Sequence, residues 1–113
     1  RQMCIRDRMM TDANVRESKV EIAVGGLEHT GVMLTIPCGS DTTVVDRAEV
    51  TRRRWTDGRW PDTVGIAIAR QDTDPDHGTT YRSASLILDR ETALRLSRIL
   101  HDIALEADHG TAE

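Results

Sequence analysis

The densest chemistry in the chain lies in R-R-R-W-T-D-G-R-W-P, from Arg52 to Pro61. Arg52, Arg53, Arg54 and Arg59 bring guanidinium groups to one turn, with Trp55 and Trp60 beside them. Guanidinium meets phosphate through paired hydrogen bonds, and an indole gives a base or sugar a flat apolar surface. A protruding hairpin with such a tip could bind nucleic acid. The same residues also suit a structural staple, in which the Arg stems cover the indole rings by cation–π stacking.

Other candidates are thinner. Asp72, Asp74 and Asp76 have the D-x-D-x-D opening of a calcium loop, where alternate carboxylates converge on a hard cation. His77 stands where that loop needs glycine, and Ser83 where it needs a bidentate Glu, so a solvated acidic turn is expected and no metal site. Cys38, in P-C-G-S, could act as a nucleophile only with a base such as His29 beside it; a semi-buried, inert thiol is the plainer reading. His29, His77, His101 and His109 are dispersed without zinc spacing. Gly25-Gly26 lacks the strand-loop-helix setting of a phosphate cradle and reads as a turn. No nucleophile, base and oxyanion set can be assembled, so neither an enzyme nor a cofactor is expected.

The totals narrow the class. A chain of 113 residues forms one domain with a single core. With no Phe, one Tyr and two Trp, aliphatic residues must supply nearly all the buried area, at about 25 cal/mol per Å². Such a core suits one sheet covered by one helix, with room for completion by a second copy of the chain. Residues 1–8, R-Q-M-C-I-R-D-R, share no pattern with the rest of the chain and read as a translated sequencing-adapter scar ahead of Met9 or Met10. Without them the formal charge of −4 becomes −6, because Arg1, Arg6 and Arg8 are lost with Asp7, and Cys38 is left alone. A lone cysteine, with neither a signal peptide nor a membrane-length apolar run, points to the cytoplasm and away from a membrane. The acidic balance argues against general affinity for nucleic acid, although a local basic patch can override it.

The elements that would position these residues emerge from the period of the apolar positions. Residues 1–18 read as a flexible lead-in, 19–109 as one α+β domain and 110–113 as a tail. Val20, Ile22 and Val24 alternate, as do Val32, Leu34 and Ile36, which predicts a hairpin with L-E-H-T-G in its connection. The chain is again extended from Thr43 to Trp55. Beyond the turn at Thr56-Asp57-Gly58, Val64, Ile66 and Ile68 alternate. A three-residue loop with left-handed Gly58 would oppose Val50 to Val64 and Ala48 to Ile66, unless Pro61 resets the count. An acidic loop is expected from Arg70 to Thr80, then a strand from Tyr81 to Leu88.

Asp89 is placed to cap a helix running to about Asp108. Ala93, Leu96, Leu100, Ile103, Ala104 and Ala107 form one stripe, with Ile99 on its flank, and that stripe should lie on the sheet. Glu91 with Arg95, and Arg98 with Asp102, are expected as i,i+4 pairs on the solvated side. Leu94, His101 and Leu105 form a weaker second row, a candidate contact for self-association. The fold class expected is α+β: an antiparallel meander of about five strands with one C-terminal helix packed on one face. This C-terminal pattern of strand, polar cap and A-x-x-L-x-x-x-L resembles small uncharacterised proteins of actinobacteria and their phages. The resemblance covers the last third of the chain and implies no functional residues. A non-enzymatic module that associates with itself or another protein is expected; the alternative is nucleic-acid binding by the hairpin tip.

Overall fold

The computed structural model describes residues 15–38 and 44–111, with side chains as far as 107. The proposed scar, Cys4, the lead-in before residue 15, most of the turn after Cys38, the His109 side chain and the end of the tail lie outside them. Five antiparallel strands succeed one another in chain order: β1 (Arg16–Val24), β2 (Leu27–Cys38), β3 (Val44–Trp55), β4 (Thr63–Asp74) and β5 (Gly78–Leu88). Helix α1 (Arg90–Thr111) completes the expected α+β meander. Strand β1 already includes Arg16 to Ser18, and α1 takes Gly110 into its last turn.

The hairpins are longer and tighter than the expected loops. Val24 pairs with Leu27 across Gly25-Gly26, so L-E-H-T-G belongs to β2 and is not a connection. Both glycines have positive φ, 61° and 81°, as a two-residue turn matching the strand twist requires. The acidic segment is likewise a continuation of the ladder: β4 runs to Asp74 and pairs it with Gly78, leaving only Pro75 to His77 as the turn. Between β3 and β4, Gly58 is left-handed at φ 71° as expected, but Val50 faces Ile66 and Ala48 faces Ile68. The register is therefore two residues from the expected one. Pro61 and Asp62 lie outside the ladder, which begins at Arg53 and Thr63, and the two-residue step keeps every apolar residue on its own side.

Register divides the sheet into two unlike faces. On one, Val32, Val50, Ile66 and Leu86 form a row across β2 to β5, next to a row of Leu34, Ala48, Ile68 and Ala84. On the other, Val20, Gly31, Thr51, Gly65 and Ile87 line up across all the strands. The second face holds two of the three buried described residues, Val20 and Thr51; Cys38 is the third. Gly31 lets the backbones of β2 and β3 close up there, since a Cβ on it would run into the Val50 carbonyl oxygen and lie 2.7 Å from Thr51 Cα.

The helix departs most from expectation. It meets β4 and β5, yet Leu96, Ile99, Leu100 and Ile103 all remain exposed, so the stripe does not lie on the sheet of its own chain. Asp89 is the whole connection between β5 and α1. Its Oδ1 accepts from the Thr92 amide at 2.8 Å and its carbonyl from the Ala93 amide at 3.0 Å, which starts the helix at once. Strand-to-helix connections usually take about two to six residues, and one leaves little chain with which to turn back over the sheet.

Candidate association surface and hairpin tip

Beside exposed Ile22, Val24 and Ile87 on the Thr51 face, two further apolar surfaces are open on the same molecule. The Val50 face of the sheet carries exposed Val32, Val50, Ile68 at 56% and Leu86 at 58%. Small residues shape it: Ala48 and Ala84 flank Ile68, leaving a depression of about 470 Å³ over Ile36, Ala48, Ile68 and Ala84. The helix stripe is the second surface, with Leu100 exposed at 66% and Ile103 at 58%. Leu94, His101 and Leu105, the expected association row, are exposed too, about 130° around the helix from the stripe. They would be distinctive only if the stripe were covered. The larger apolar surface is the stripe itself.

One end of the sheet surface is charged. Ile36, Asp46, Arg70 and Arg82 form the next cross-strand row. Arg70 donates to both carboxylate oxygens of Asp46, Nε at 2.6 Å and Nη2 at 2.8 Å, and this hydrogen bonding raises the guanidinium above its ordinary pKa. Arg82 stands directly opposite Arg70. None of the described ion pairs or side-chain hydrogen bonds includes Arg82. The row thus sets two guanidinium groups side by side, with Asp46 engaged by Arg70 and with Asp72, the next residue of β4 on this face, also acting on Arg70.

The hairpin tip does not gather its arginines. Arg52 and Arg54 project from the Val50 face, Arg53 from the Thr51 face, and Arg59 from the turn. Arg52 Nε donates to Asp62 Oδ2 at 2.8 Å, and Arg53 Nη1 donates to Thr63 Oγ1 at 3.1 Å. Arg59 lies 5.5 Å from the centre of the Trp55 ring and pairs with Asp57 at 2.8 Å. The Asp57 carboxyl is held below its ordinary pKa, first by the Arg59 amide and then by the guanidinium. These contacts have the geometry of the structural staple for Arg59 and Trp55. Trp60 is exposed and lies outside the ladder, so the two indoles do not pair across it. Thr56 ties this turn to the first hairpin, its amide donating to the Gly26 carbonyl at 2.9 Å.

The remaining chemical candidates stay apart. Asp74 turns back on its own hairpin: Oδ1 accepts from the Asp76 amide at 2.8 Å, and Oδ2 lies 3.2 Å from His77 Nδ1. Those contacts, the Asp76 amide first, hold its carboxyl below the ordinary value. No group of three metal-binding side chains occurs among the described residues. Cys38 is buried and disulfide-bonded, which corrects the expectation of a lone thiol and removes that ground for a reducing compartment. The pairs Glu91/Arg95 and Arg98/Asp102 do not close among the described residues; Asp102 instead lies 3.6 Å from His101 Nδ1. No helix among the described residues is long and apolar enough to cross a membrane. Sequence reasoning missed Arg82 and Gly31. Arg82 becomes notable only when register places it opposite Arg70, and Gly31 only when it faces buried Thr51. Comparison with protein families, curated proteins and solved structures yields no match.

Proposed function

We propose that the protein is a non-enzymatic accessory module that works as a self-associated assembly. The observation that carries this reading is the pair of apolar surfaces, on sheet and helix, that one chain exposes and that a single chain leaves unmatched. Burying them against a second copy removes apolar area from water at about 25 cal/mol per Å². An isologous pair would use each surface twice. The dispersal of His29, His77 and His101 over β2, a turn and α1, with Cys38 in a disulfide, supports a binding role over catalysis. Nucleic-acid binding by the tip has less support, because Asp62 and Asp57 partner Arg52 and Arg59. Sedimentation velocity over a wide protein concentration range tests the proposal: a dimer or larger species is expected, and a monomer at every concentration would overturn it.

A further inference from the structure

We infer that the occupant of the Val50 face is α1 of a second copy, aligned by an ion pair between Arg82 of one copy and Glu106 of the other. The inference rests on the self-association proposed above and specifies its geometry. Length is the first argument. From Ala93 to Ala107 the stripe extends about 21 Å at 1.5 Å per residue. The apolar part of β4, from Val64 to the level of Arg70, extends about 20 Å at 3.3 Å per residue. A helix laid along the strands therefore covers the patch from end to end, and the low ground over Ala48 and Ala84 receives its ridge.

Charge is the second argument. Arg82 borders the sheet patch and has no ion-pair partner among the described residues. Glu106 sits about 100° from the middle of the stripe, on the Ile99 and Ile103 side, whereas Asp102 and Glu91 point nearly opposite it. Glu106 likewise has no ion-pair partner among the described residues. It lies near the C-terminal end of the stripe, and Arg82 lies at the end of the patch farthest from Leu88. Matching these ends sets the incoming helix antiparallel to β5. Glu106 of the partner copy then gives Arg82 an ion-pair partner, beside Asp46 and Asp72 of its own chain.

Reciprocal charge reversal tests the pairing, read by sedimentation equilibrium in low salt. R82E and E106R should each weaken association about tenfold or more, since every homodimer would contain two like-charge contacts. An equimolar mixture of the two variants should recover association, because both of its contacts are again opposite in sign; the double variant R82E/E106R should recover it in one chain. Both side chains are exposed, and unchanged far-UV circular dichroism would confirm that the fold is kept. If the wild-type protein dimerises but the reversals have no effect, or mixing restores nothing, the helix-on-sheet pairing is overturned while self-association stands. A monomeric wild type would overturn both.

Discussion

Truncating the helix stripe should separate assembly from folding. In the single chain Leu100 and Ile103 are exposed at 66% and 58%. Complete burial of a Leu or Ile side chain contributes about 1.5–3 kcal/mol, so covering the part still open contributes about 1–2 kcal/mol each. With both residues in both copies, the double variant L100A/I103A should lose about 4–8 kcal/mol of association energy, or about three to six decades in dissociation constant. The chain itself should lose little, because these side chains bury so little within it, and alanine favours helix. Sedimentation equilibrium measures the first effect. Thermal unfolding of the variant at a concentration where it is monomeric measures the second, and the Tm of the wild type should rise with protein concentration. A dissociation constant within tenfold of the wild type would refute the reasoning, as would a variant that unfolds outright.

The same geometry fixes three further outcomes. D89A removes the side-chain acceptor at the helix start and should lower helicity by circular dichroism. The Asp89 carboxyl is held below its ordinary value by Thr92, its hydroxyl first and its amide second, so the cap contributes stability above the unfolded pKa of about 4. That contribution should fade as the pH falls through the lower folded value, and D89A should not show this acid-side loss. G31A places a methyl against the Val50 carbonyl and Thr51, and should cost about 1–3 kcal/mol in urea denaturation; an unchanged midpoint would mean that β2 and β3 do not approach so closely. Intrinsic Trp fluorescence, titrated with single- and double-stranded nucleic acid, should stay unchanged at low salt, because Arg52 and Arg59 already hold carboxylates. Quenching that weakens with salt would restore the tip as a nucleic-acid interface.

Alternation along Val32 to Ile36, Ala48 to Val50 and Val64 to Ile68 is a local property, and it located three central strands because period two has one structural meaning. Asp89 was legible for the same reason: a cap needs only its own first turn. Register was not local. Pro61 and Asp62 leave the ladder, and two residues outside it shift every pairing between β3 and β4 without moving any side chain to the other face, so the hydrophobic pattern cannot distinguish the two registers. The acidic hairpin was hidden differently. Polar residues from Arg70 to Asp74 resemble a loop by composition, yet they complete a ladder at the open end of a sheet, where no core demands apolar side chains. The helix stripe shows the largest limit of reading a single chain. Ala93 to Ala107 records that one side of α1 is to be buried, but periodicity is the same whether the burying surface belongs to that chain or to another. The one-residue link at Asp89 makes the difference. It starts the helix before the chain can double back, leaves the stripe and the Val50 face both open, and turns a pattern that reads as a core within one molecule into an argument for a core shared between two.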